Sequence, residues 1–164
     1  MSSSDPTYTI QGENNEFLKN AQKSLQERNY LQASDFFRKA LEINPRNPEL
    51  YLLKSQASFH IPNFSQALRD INEGLTVINE SSVENNKNLL LKIRLLNMRS
   101  RVYKELQEFA NAQNDADTVK TLLQQNELNG DFSQILSLDQ IDLNATNPND
   151  STSKQEFFSA KVLT

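Results

Sequence analysis

No cysteine occurs in this chain of 164 residues, and histidine occurs once. The first absence rules out disulfides and thiolate chemistry and makes the reducing cytosol or nucleus the natural setting. The scarcity of histidine, with no glycine-rich phosphate loop, leaves no metal-spaced ligand set and no positive sign of catalysis. The chain therefore reads as a non-enzyme that needs no cofactor and no metal. Only three glycines and five prolines are present, without dense β-branched alternation, so a sheet has little support and the fold class is all-α. No run of about 18 apolar residues exists, which excludes a membrane-spanning helix. The opening Met1-Ser2-Ser3-Ser4-Asp5-Pro6 also lacks the basic and apolar parts of a signal peptide. Seventeen basic residues against 21 acidic ones leave a net charge of −4, an argument against nucleic acid as the main partner. N-x-S/T tripeptides at Asn63, Asn79, Asn144 and Asn149 would matter only in a secreted protein, and a chain with 20 asparagines contains them by composition alone.

What the sequence does contain is a period. Ala33 and Ala67 each follow an aromatic, Tyr30 or Phe64, at the same short spacing. Each opens a helical run, Ala33 to Leu41 in one copy and Ala67 to Leu75 in the other. A fixed internal period implies stacked copies of one supersecondary unit, with function in the surface that stacking creates. Helix boundaries are legible within it. Asn47-Pro48-Glu49 supplies an N-cap, a proline at the first helical position and an early acid. Pro62 with Asn63 separates that helix from its partner. Gly130 is a stop signal for the last helix of the periodic region.

These residues resemble the tetratricopeptide repeat, a unit of about 34 residues built as two antiparallel helices, and the step from Ala33 to Ala67 equals that length. The first copy carries Phe17, Ala21, Tyr30, Ala33, Phe37, Ala40 and Pro45; the second carries Tyr51, Ser55, Phe64, Ala67, Ile71 and Gly74. A third copy carries Leu96, Ser100, Tyr103, Phe109, Ala112, Ala116 and Val119, with the step from Ala67 to Ala112 exceeding the period. The surplus lies around Glu80 to Leu90 and predicts a longer loop and an extended first helix in unit three. Asn20 and Lys54 stand where the family has leucine, and Ser24 and Ser58 where it has an aromatic. The resemblance implies a right-handed superhelix of three helix-turn-helix hairpins over 14–130, with repeats at about 14–46, 47–80 and 88–127. Residues 1–13 read as a disordered N-terminal tail. Phe132, Ile135, Leu136 and Leu138 place an amphipathic capping helix at 131–143. Residues 144–164 read as a flexible tail with an apolar end, Glu156 to Thr164.

In this family the first helices of successive units line a concave surface along which extended peptides lie. The corresponding positions are Asn15, Leu18, Lys19, Gln22 and Leu25 in unit one, and Glu49, Leu52, Leu53, Gln56, Phe59 and His60 in unit two. Unit three supplies Arg94, Asn97, Met98, Arg101 and Lys104. Amides there suit a peptide backbone, and arginines suit a carboxylate. Packing between helices is the competing role of Leu52 and Phe59. Lys87, Lys92, Arg94, Arg99, Arg101 and Lys104 crowd one short stretch and read either as a solvated basic helix or as attraction for an acidic partner. His60, at a helix end, reads as a cation or donor for exposed carbonyls. Co-chaperone members with three repeats grip the C-terminal carboxylate of Hsp70 or Hsp90. The matching positions here are Leu18, Gln22, Leu53, Arg94 and Met98, of which only Arg94 keeps the charge. A standard clamp is disfavoured. The expected partner is a protein or peptide, acidic or carboxylate-terminated, held by a non-catalytic adaptor. The alternative is a scaffold subunit, or the N-terminal part of a larger protein, that assembles through its convex face or C-terminal tail.

Overall fold

A computed structural model describes residues 6–126, so the segments expected to form a capping helix and an apolar tail lie outside the described residues. Six helices follow one another: α1 (Pro6–Gln26), α2 (Tyr30–Ile43), α3 (Pro48–His60), α4 (Phe64–Glu80), α5 (Asn86–Glu105) and α6 (Phe109–Gln125). They pair as hairpins α1/α2, α3/α4 and α5/α6, and α2 packs on α3 as α4 packs on α5. Among the first helices of the units, α3 and α5 also touch directly, whereas α1 rests almost wholly on α2.

Local chemistry accounts for the boundaries. The side-chain oxygens of Asn29, Asn47, Asn63 and Asn85 accept from backbone N–H groups of Gln32, Glu49, Gln66 and Asn88, satisfying donors that a helix start leaves orphaned. Each turn inside a hairpin passes through one residue with positive φ, at Arg28 (58°), Pro62 (22°) and Gln107 (62°). These positions are equivalent under the repeat. At Pro62 the ring, which holds φ in the negative range, opposes what the turn demands. α1 begins at Pro6, ahead of the expected start at 14, because proline's preset φ and missing N–H suit the first turn of a helix.

The surplus expected between units two and three is distributed along their junction. α4 has 17 residues where α2 has 14, and α5 has 20 where α3 has 13. The linker 81–85 is also longer than its counterpart 44–47. Both the lengthened first helix and the longer loop expected for unit three are present.

The helices meet at small residues. Ala21, Ala33, Ala40, Ala57 and Ala67 have no exposed surface and Ala112 has 2 %. Ser55 and Ser100 occupy the places matching Ala21, and their hydroxyls donate to the carbonyls of Leu52 (2.6 Å) and Ala112 (2.8 Å). At Gly74 the approach is close: a Cβ there would stand 3.1 Å from Tyr51 Cβ and 3.2 Å from Leu95. Larger side chains fill the space left in two clusters. One surrounds Phe37 and Leu50 in unit one and its junction with α3; the other joins Leu52, Ile71, Leu95 and Val102 across units two and three.

Two ion pairs complete the hairpins. Lys54 on α3 donates to both oxygens of Asp70 on α4 (2.8 and 3.0 Å), and both side chains are about nine-tenths buried. Gln66 adds a further donor to Asp70 at 2.9 Å. Arg99 on α5 forks onto Asp115 on α6 (2.8 and 2.7 Å) and reaches Asn72 on α4 at 3.0 Å. Lys54, at a position expected to hold leucine, thus belongs to a polar joint. Removing one member of a buried pair strands the other. Lys54→Ala is therefore expected to cost about 3–5 kcal/mol in chemical denaturation. The double replacement Lys54→Met with Asp70→Leu should recover most of that loss.

Candidate peptide-binding face

α1, α3 and α5 place the expected groove residues in different environments. Lys19 and Gln22 on α1 and Lys104 on α5 are exposed, and Leu18, Leu53, Phe59, Arg94, Asn97 and Arg101 are half-buried. Leu18 and Leu53 pack against the unit-one cluster. Leu52 has no exposed surface and lies in the second cluster, so its role is packing between helices. Gln56 is 3 % exposed and Met98, at a clamp position, also 3 %. Arg99, one of the six clustered cations, is committed to Asp115, which holds its guanidinium protonated above the ordinary arginine range. Asp115 is buried, whereas Asp117, two residues along α6, is exposed and accepts from Gln113.

Three buried side-chain polar atoms lack a hydrogen-bond partner among the described residues: Gln56 Oε1, His60 Nε2 and Asn97 Nδ2. All belong to α3 or α5 and to positions expected on the inner face. Leaving such an atom unpaired costs about 1–3 kcal/mol, so one face holds unused hydrogen-bonding capacity.

Aromatic and cationic groups converge at one end of α3. Tyr30 stacks on His60 with centroids 4.4 Å apart and planes 13° from parallel. Phe59 meets His60 edge-on at 5.9 Å and Phe64 at 5.5 Å. The Arg101 guanidinium lies over the Phe59 ring at 4.8 Å. Burial, then the charges of Arg101 and Arg28, push the His60 imidazole down to about 4. His60 is therefore neutral near pH 7 and is not the helix-end cation that its sequence position suggests: desolvation and two nearby guanidiniums disfavour a third positive charge. Arg28 carries no signal of this role in the sequence, because its turn approaches His60 only through tertiary packing. The ion pairs had a readable signal. Lys54/Asp70 and Arg99/Asp115 share a separation of 16 residues, and the second pair follows the first by the same step that leads from Ala67 to Ala112.

Three stacked hairpins with closely packed alanines decide the architecture. It is a tetratricopeptide-like helical repeat. The chain is similar to the N-terminal domain of stress-induced protein-1 (STI-1) from C. elegans, with a TM-score of 0.60 and 14 % identity over 81 % of this chain and 98 % of that one. No family model matches the sequence. No curated protein matches it. At that identity the tetratricopeptide-like likeness concerns the fold.

Proton linkage at His60 makes stability depend on pH. Folded and unfolded states bind protons alike above about pH 6.5, the unperturbed midpoint. Below it the unfolded chain takes up a proton that the folded chain refuses until about pH 4, so stability should fall across that window. Denaturation midpoints measured from about pH 7.5 down to about pH 4 should decline less steeply in His60→Gln than in the native sequence.

Proposed function

We propose that the chain is a non-catalytic interaction module that holds an extended, acidic or carboxylate-bearing segment of a partner protein across α1, α3 and α5. The observation that carries this reading is the unpaired capacity of Gln56 Oε1 and Asn97 Nδ2 on adjacent first helices. An acceptor and a donor there complement the donor and acceptor of a peptide backbone once the amides turn outward. Lys19 on α1 and Arg94, Arg101 and Lys104 on α5 add positive charge to the same set of helices, which attracts acidic side chains although the whole chain is acidic. The likeness to a domain of STI-1 supports a helical interaction module without specifying its ligand. Leucine and methionine at the clamp positions Leu18, Leu53 and Met98 disfavour the Hsp70 and Hsp90 tails.

A second reading, assembly through another surface, draws support from Leu31 and Phe109, which are 71 % and 65 % exposed. Partner capture separates the two. Arg94→Glu with Arg101→Glu should reduce the bound protein by about ten-fold or more while leaving helicity intact, the scale set by losing a charge-assisted hydrogen bond. Unchanged capture by this variant, with dispersal on deleting Glu156 to Thr164, would select the assembly reading.

A further inference from the structure

One side of α5 carries cationic, apolar and amide side chains in a single stripe. Lys87, Leu90, Arg94, Asn97, Arg101 and Lys104 follow one another at steps of three or four residues, the spacing that keeps side chains together on a helix. The contact of Arg101 with Phe59 turns that stripe towards α3. Lys87 and Lys104 at its two ends are exposed, and Leu90 is half-buried, as are Leu53 and Phe59 on α3. The face is thus basic at both ends of α5 and apolar between them, with Gln56 Oε1 and Asn97 Nδ2 unpaired.

The chain carries a complement to this face directly after α6. Glu127, Asp131, Asp139, Asp142 and Asp150 follow with no lysine or arginine before Lys154. Phe132, Ile135, Leu136, Leu138, Ile141 and Leu143 interleave with those acids. Gln125 and Asn126, at the end of α6, line one cleft with Asn86, Asn88 and Lys92 near the start of α5. The acidic stretch therefore begins beside one end of the basic stripe. α5 is about 30 Å long, and the chain from Asn126 to Asp139 spans about 45 Å when extended, so the acids can reach both Lys87 and Lys104.

We infer that the segment 127–143 of this chain occupies the inner face of α3 and α5 and competes there with the partner's acidic segment. The inference rests on the peptide-binding reading above and names how that face is regulated. A ligand on so short a tether has a local concentration of the order of millimolar, so weak ionic and apolar contacts suffice to hold it. Lys87 and Lys104 receive the acids; Arg94 and Arg101 already hold interactions and need not open. A partner must displace the segment, which restricts capture to sequences that outmatch it in charge or apolar contact.

Because the chain has no cysteine, Ser137→Cys gives the full-length protein one attachment point for a nitroxide. Its broadening of backbone amide resonances reports where the segment lies. Amides of Gln56, Phe59 and Asn97 should broaden, independently of dilution, while those of α2 stay sharp. Lys87→Gln with Lys104→Gln should reduce that broadening, and no reduction would overturn the charge complementarity. Broadening confined to α6 and the cleft, or none, would overturn the inference. So would broadening seen only when the nitroxide sits on a second chain, which assigns the face to another copy. A second measurement titrates an acetylated, amidated hexaglutamate, with hexaglutamine as control, into the native chain and into Asp131→Asn with Asp139→Asn and Asp142→Asn. Hexaglutamate should bind the triple variant about ten-fold more tightly, read from the amides of α3 and α5. Equal affinities would overturn the inference and leave the peptide-binding reading standing. No binding to either chain would overturn both.

Discussion

Helices in this protein approach as closely as they do because the residues between them have almost no side chain. Ala33, Ala67 and Ala112 recur at one place in each hairpin, and none is more than 2 % exposed. Ala21, Ser55 and Ser100 play the matching part on the first helices. The shortest helix, α3, has 13 residues and the longest, α1, has 21 residues. The shorter of these lengths is marginal alone in water, and stability comes mainly from burying one helix against the next. Small contact residues shorten the distance over which Phe37, Ile71 and Leu95 must fill space. The stack is thus a consequence of what those positions omit. Gly74 carries the same logic furthest, because the first carbon of any side chain would crowd Tyr51 and Leu95.

Polar joints set the orientation within that stack. Lys54–Asp70 and Arg99–Asp115 cross the second and third hairpins at equivalent positions, while unit one has Asn20 and Phe36 there. Hairpin one is tied instead by Phe17 against Phe36, 6.4 Å apart, with Lys39 near both rings. Units two and three therefore share one apolar cluster and one type of joint. Unit one connects to them through α2 on α3 and through the Tyr30–His60 stack. The candidate recognition residues gather at this change of character, where packing leaves polar atoms unpaired.

Much of the fold was legible because its signals are local or periodic. The repeat interval, the asparagine caps and Pro48 specify helix starts by short-range chemistry. The residue surplus between Ala67 and Ala112 located the lengthening of α5 without reference to coordinates. The face of α1, α3 and α5 was legible in register but not in exposure. Leu52 and Leu53 are neighbours on one helix, yet Leu52 faces the shared core and Leu53 the unit-one cluster. Which neighbour covers a side chain depends on helices far apart in sequence. Arg99 and Arg101 illustrate the same limit. Both belong to the basic stretch that reads either as a solvated helix or as attraction for an acidic partner, and Asp115 on the next helix takes the first while Phe59 receives the second.

The sequence by itself determined an all-helical chain of three similar hairpins, since small residues at a fixed interval and capping residues at helix ends act through near neighbours. Only the tertiary structure decided the protonation of His60 and the company it keeps. Its proton affinity depends on desolvation by Tyr30 and Phe59 and on charges that Arg28 and Arg101 bring from two other units. Electrostatic environment is a sum over groups adjacent in space, and this sum draws on side chains as far apart in the chain as Arg28 and Arg101.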